Sequence, residues 1–268
     1  MTTRTRTPAA APAWVRDLVA GAERPAAVVH VGADAVYLDV DGRCLGIMSA
    51  TGTAVPCGLR TALPAVDVLV PLSREALVGD GRVALGDHDV VPARVVDASV
   101  PGLTGRQVSR AAGLLPALVA DRTEEVAREL AGEALDGLVR ADPAAVTELL
   151  GRGSGLTPLG DDVLAGWLAT AVAAGALRTA PATAVAAEVA ARAPAGTTLL
   201  SATLLDCAAR GEVLPQYRRL LLDLADPREP SPAAALDALV AVGHTSGAGL
   251  ALGTSLALRH LASRSPRP

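Results

Sequence analysis

The chain has 268 residues, half of them hydrophobic, with no Phe and a formal net charge of −4. That length holds one large domain or two ordinary ones, and two are expected. The acidic balance, with no basic run interleaved with aromatics, argues against a phosphate-backbone footprint or a base-stacking platform, so no nucleic-acid partner is expected.

The opening stretch MTTRTRTPAAAPA carries charge and proline but no apolar h-region. It reads as a flexible tail leading into a short amphipathic helix, Ala13 to Ala20, and residues 1–23 are set apart as tail and helix. From about Pro25 to Val100 come the β-branched runs AAVVHV, AVYLDV, RCLGIM, VDVLV, RVALGD and VVPARVV. Turn signals separate them, and Asp41-Gly42 between two runs predicts a hairpin. Residues 24–104 are therefore expected to form a β-rich domain, a small barrel or sheet.

After VPGLTG the texture changes, and from Arg106 onward Leu and Ala recur at helical spacing. The predicted helices are Arg106 to Asp121, Glu124 to Arg140, Ala144 to Leu150, Asp161 to Leu177, Ala182 to Arg192, Thr197 to Arg210, Leu214 to Ala225, Pro232 to Val242 and Ala248 to Ala262. Residues 105–268 form an all-helical domain in this reading, and the fold class is α+β. Val163 to Leu177 is uncharged for fifteen residues, short of the roughly 18 that a membrane span needs. Ala238 to Leu258 is longer but is interrupted by Gly243, Gly247 and Gly249, so no membrane span is expected. Cys44, Cys57 and Cys207 are few, widely spaced and odd in number, which fits reduced thiols and a cytoplasmic location.

Two loops in the helical half draw attention. The first, GRGSGLTPLGDDVLAG from Gly151 to Gly166, places Gly151, Gly153 and Gly155 where positive φ would curl successive N–H groups into an anion-binding nest. Thr157 is the expected N-cap and Pro158 the first helical residue, which would aim free amides at the same spot. No Gly-Lys-Ser/Thr follows and no strand precedes, so neither a Walker loop nor a dinucleotide fingerprint is present. Asp161 and Asp162 admit two readings: acids favoured by the helix dipole, or ligand-facing carboxylates that need a cation such as Mg²⁺ or a substrate N–H between them and an anion.

The second loop, GHTSGAG from Gly243 to Gly249, offers an imidazole, two hydroxyls and unpaired amides before a helix. His244 either moves a proton or caps the preceding helix, and Ser246 either meets a ligand or caps the next. A third segment, AGTTLLSATLL, sets Thr197 and Thr198 near Ser201 on one helix face. The glycine spacing of Gly160 to Gly166 recurs in Gly247 to Gly253, an echo read either as chance or as a structural repeat.

Taken in order, G-x-G-x-G-L-T-P-x-G-D-D, the Thr-Thr…Ser segment and the late G-H-T-S-G resemble a bacterial family whose named members are AllH-like subunits of oxamate carbamoyltransferase. The resemblance covers Gly151 to about Leu258. It implies carbamoyl transfer between carbamoyl phosphate and oxamate in allantoin breakdown, beside other subunits, one of them FdrA-like. It also implies that Gly153, Ser154, Gly155 and Thr157 hold a small anionic substrate with Arg152 adding charge, joined by Thr197, Thr198, Ser201, Thr245 and Gly247. His244 and Ser246 then meet the carbamoyl oxygen as catalytic groups. Asp162 is the third catalytic candidate, and Asp161 or Asp162 accepts the carbamoyl N–H bonds or holds Mg²⁺. In the family pattern an acidic residue stands at the position that is Gly249 here.

Overall fold

Among the described residues between Thr5 and Val96, short β-branched and small-residue runs build eight strands and one α-helix: β1 (Thr5–Pro12), α1 (Ala13–Ala20), β2 (Arg24–Val31), β3 (Ala35–Val40), β4 (Arg43–Met48), β5 (Gly58–Thr61), β6 (Glu75–Gly79), β7 (Arg82–Leu85) and β8 (His88–Val96). The structure is a computed structural model and describes residues 4–71, 74–226, 228 and 231–264. The chain divides into two units at Ala98/Ser99.

The first unit is a closed barrel in the order β1-β5-β4-β3-β2-β6-β7-β8. Closure leaves no free edge, and only the β1–β8 and β4–β5 pairs are parallel. Its core is aliphatic, with Val36, Leu38, Leu45, Ile47, Leu59, Val78 and Val90 inside, and Val15 and Val19 of α1 pack into the same cluster. The predicted hairpin forms: Val40 pairs with Arg43, and Asp41 and Gly42 take φ of 52° and 79°, a type I′ turn.

Two expectations for this half are corrected. The predicted tail contains β1, because its Thr/Ala/Pro sequence gains a ladder on both sides, antiparallel to β5 and parallel to β8. That partner is invisible to local pattern. VDVLV is no strand: Asp67–Leu69 is a single 3₁₀ turn, with Val70 N–H bonded to Asp67.

The second unit runs through α2 (Gly105–Arg128), α3 (Gly132–Arg140), α4 (Ala144–Leu149), α5 (Leu159–Ala173), α6 (Ala180–Gly196), α7 (Leu199–Ala209), α8 (Pro215–Ala225), α9 (Ala233–Val240) and α10 (Ser246–Arg264). A capping box starts α2: Gln107 N–H donates to Thr104 Oγ1, and Thr104 N–H donates to Gln107 Oε1 at 2.9 Å. The predicted break near residues 122–123 falls instead after Arg128, since Thr123 is buried and donates to Val119 O at 3.0 Å within the helix. The segment 99–104, assigned to the β half by sequence, belongs to this unit, where Val100 N–H bonds Gly211 and Leu103 N–H bonds Ala173.

Nearly every residue of α5 is buried, so it is the central helix, apolar all round. It packs on α10 through mutual glycine contacts. A Cβ at Gly166 would collide with the carbonyl oxygen of Leu250, and one at Gly253 with that of Val163. The two contacts exchange under one sequence offset, and Gly160 and Gly247 likewise press on the carbonyls of Leu149 and Leu239 at the ends of the preceding helices. The glycine echo is thus a structural repeat of helix, loop and helix. Tyr217 of α8 locks the crossing, its hydroxyl lying 2.7 Å from Gly166 O and 2.8 Å from Thr254 Oγ1.

Gly253→Ala is expected to cost about 1–3 kcal/mol or more, because the added methyl meets backbone and no flexible side chain. A lowered midpoint in urea unfolding, against an equal or higher one for Gly113→Ala, whose Cβ would meet nothing in the interior of α2, checks this.

Candidate functional site

The α5–α10 crossing sets the first turns of two helices side by side, and the loops that precede them meet there. Thr157 and Ser246 are joined by a hydroxyl–hydroxyl hydrogen bond of 2.8 Å across 89 residues of sequence. The first loop takes the conformation its glycines allow, with φ of 72° at Gly151, 108° at Gly153 and 93° at Gly155. Gly153 lies against Leu159, so a Cβ there would sit 2.7 Å from the Leu159 nitrogen. Among the described residues the N–H groups of Gly153 to Thr157 make no hydrogen bond within the chain, nor do those of His244 to Ser246. Residues 152–156 are exposed, so these amides face solvent.

The helix register differs by one from expectation. Pro158, not Thr157, is the N-cap of α5, and no side chain caps it. Pro158 lacks an N–H, so the cap residue has no donor that needs a partner, and the Thr157 hydroxyl is released to meet Ser246. Similarly, α7 begins at Leu199 with Thr198 as its cap, so Thr197 precedes the helix and does not share its face with Ser201. Thr198 Oγ1 accepts from Ser201 N–H at 3.1 Å and donates to Leu156 O at 2.6 Å, tying the loop to α7.

The two aspartates have opposite surroundings although they are neighbours, since consecutive helical residues point about 100° apart. Asp161 is buried and fully engaged: Gly151 N–H donates to Oδ1 at 2.7 Å, and the Thr197 hydroxyl donates to Oδ2. Burial raises its pKa, and the bonds from Gly151, Thr197 and Ser201 oppose the rise. Asp162 is 6 % exposed, and its Oδ2 is buried without a hydrogen-bond partner. Burial pushes its pKa up to about 8, the neighbouring Asp161 charge adds to this, and the hydroxyls of Ser246 and Thr157 work against it. Behind it Gly249 closes in, where a Cβ would lie 2.8 Å from the Cβ of Asp162.

This donor set does not fit Mg²⁺. Both oxygens of Asp161 are committed to protein donors, Asp162 is held toward its neutral form, and no group of three His, Cys, Asp or Glu side chains comes together among the described residues. The alternative that acids merely suit a helix N-terminus is also incomplete, since one is a strut between two loops and the other an orphaned acceptor.

The remaining predicted residues divide. Gly247 serves packing against Leu239, and Thr245 O accepts from Gly249 N–H at 2.9 Å. Arg152 is exposed at the loop's edge, its Nε donating to Glu148 O at 3.2 Å, and Ser154 is exposed. His244 is exposed on the turn and makes no hydrogen bond to Ser246 or Asp162. What sequence reasoning missed is Tyr217 with Thr170 and Thr254, whose one signal was a rare tyrosine in a leucine-rich helix.

Residues 149–258, less than half of the chain, match the family described as oxamate carbamoyltransferase subunit AllH. This stretch is AllH-like. It contains both loops, both aspartates and the α5–α10 crossing. No curated protein and no solved structure matches the chain. Among the described residues no helix is long and apolar enough to cross a membrane, and Cys44, Cys57 and Cys207 are buried.

Because the folded helical unit holds on Asp162 a proton that the unfolded chain releases near its ordinary pKa of 3.8, the resulting stability is full below that value. It is lost as pH rises through about 8. The unfolding free energy of the native chain should fall across that window relative to Asp162→Asn, by at most about 1.4 kcal/mol per pH unit. Urea unfolding of both proteins near pH 5, 7 and 9 measures the difference, and parallel profiles would refute the assignment.

Proposed function

We propose that the AllH-like unit binds a small phosphate- or carboxylate-bearing molecule between its two helix-N-terminal loops and acts as a subunit of a carbamoyltransferase of the oxamate type. The observation that carries this reading is the Thr157–Ser246 contact, which unites both glycine-rich loops at one place. Open amides of Gly153 to Thr157 suit a phosphate, and the dipoles of α5 and α10 add positive potential there.

In the reaction, the amide nitrogen of oxamate attacks the carbamoyl carbon of carbamoyl phosphate. The bond from that carbon to the phosphate oxygen breaks, the attacking nitrogen loses one proton to the departing phosphate, and oxalurate and hydrogen phosphate result. Phosphate is the leaving group, so loop amides and the exposed guanidinium of Arg152 would receive its growing charge. Of Ser246 and Thr157, the hydroxyl that accepts in their shared bond would donate to the polarised carbamoyl oxygen. A largely protonated Asp162 would stand beside the phosphate without repelling it, which removes the need for a bridging cation. The other subunits of such an enzyme, FdrA-like among them, would supply the remaining groups.

A second reading, a non-catalytic anion-binding or scaffolding subunit, is favoured by His244, whose exposed ring is not engaged with Ser246. Incubation of the purified chain with carbamoyl phosphate and oxamate, with and without FdrA-like and other candidate subunits, separates the two. Oxalurate formation supports the enzyme, and anion binding without turnover in every combination supports the second reading. Gly153→Ala, which must abandon φ of 108°, should weaken phosphate binding roughly tenfold, about 1.4 kcal/mol. Ser246→Ala should lower turnover by roughly 10²-fold or more if its hydroxyl serves the transition state. Calorimetry with inorganic phosphate and a steady-state assay check these two outcomes.

A further inference from the structure

Asp162 Oδ2 is a hydrogen-bond acceptor with no donor, on a side chain more than nine-tenths buried. Its neighbour Asp161 has a donor on each oxygen, so the want of a partner belongs to one position and not to the whole helix start. The carboxyl is turned to the Thr157 and Ser246 hydroxyls, which act on it from the joined loops. The bond they share spends one of their two protons, and neither hydroxyl reaches Oδ2 in hydrogen-bond geometry. Gly249 packs close to Asp162 and Leu159, where any added Cβ would meet the Cβ of Asp162 at 2.8 Å. A buried acceptor left unpaired is costly, and a ligand that supplies an N–H recovers that cost on binding.

We propose that Asp162 is a specificity-determining residue that selects small oxyanions bearing an adjacent primary amide, its Oδ2 accepting a hydrogen bond from the ligand's amino group. This rests on the anion-binding reading above. The open amides of Gly153 to Thr157 take the oxyanion, and the amide group reaches inward past the hydroxyl pair to Asp162. Raised pKa supports the arrangement, because a carboxyl kept mostly neutral does not repel the oxyanion beside it. Both carbamoyl phosphate and oxamate carry this chemistry, each with an H₂N–C=O group next to an anionic group.

Two isosteric pairs test it, since methyl replaces amino with little change of shape: oxamate against pyruvate, and carbamoyl phosphate against acetyl phosphate. Titration calorimetry of the full chain should give roughly tenfold tighter binding for the amide member of at least one pair, because the methyl analogue leaves Oδ2 unpaired. The pair that shows the preference identifies which of the two amides Asp162 reads. In Asp162→Ala and Asp162→Leu, thermal melting having verified the fold, the preference should shrink to within about twofold. If neither variant folds, the ratio in the native chain still decides. Equal binding within both pairs while inorganic phosphate binds, or a preference that survives in both variants, overturns the inference and leaves the anion site standing. Failure of all five ligands overturns the proposed function and this inference with it.

Discussion

Backbone contact between α5 and α10 is the constraint on which the rest of the helical unit depends. Where Gly166 meets the Leu250 carbonyl and Gly253 meets the Val163 carbonyl, no side chain separates the two helices. Such an approach gains dispersion along both backbones, and any Cβ at those points would force the helices apart. It also fixes translation along the axes, since each glycine is matched to one carbonyl. The Tyr217 hydroxyl, between Gly166 O and Thr254, sets the same register from a third helix. Once the register is set, the first turns of α5 and α10 must lie together, and Thr157 reaches Ser246.

Around that junction the chain spends its polar groups unevenly. Asp161 is a buried carboxyl with satisfied oxygens, and it converts Gly151 and Thr197, otherwise distant in sequence, into one scaffold. Thr198 adds a second tie, to the Leu156 carbonyl. The loop between these two ties is held at its ends, while the amides of its middle stay open. Asp162 stands one residue on, equally buried yet without a donor at Oδ2. A scaffold that pairs one carboxyl completely and leaves its neighbour orphaned is consistent with a position reserved for something not made of protein.

How much of this could be read beforehand depended on how local the cause was. The Asp41-Gly42 hairpin and the positive φ of Gly151, Gly153 and Gly155 follow from glycine stereochemistry, and all were legible in a few residues. Strand β1 was not, because its residues resemble a polar tail and take their conformation from β5 and β8. The cap of α5 was misplaced by one residue for a related reason: Thr157 has the chemistry of a cap, but its hydroxyl had a partner 89 residues away. The identity of the motif was readable from order and spacing, and the matched family covers the same stretch.

From the sequence alone came the α+β division, the aliphatic character of the core, the two glycine-rich loops and the family resemblance. These follow from composition, periodicity and short motifs, whose physics acts within a turn or two of the chain. Tertiary structure alone decided which aspartate is a strut and which an orphaned acceptor, and that His244 stays outside while Ser246 meets Thr157. Burial and hydrogen-bond partnership arise between elements far apart in sequence, and adjacent residues with identical side chains acquire different chemistry only when a helix turns them toward different neighbours.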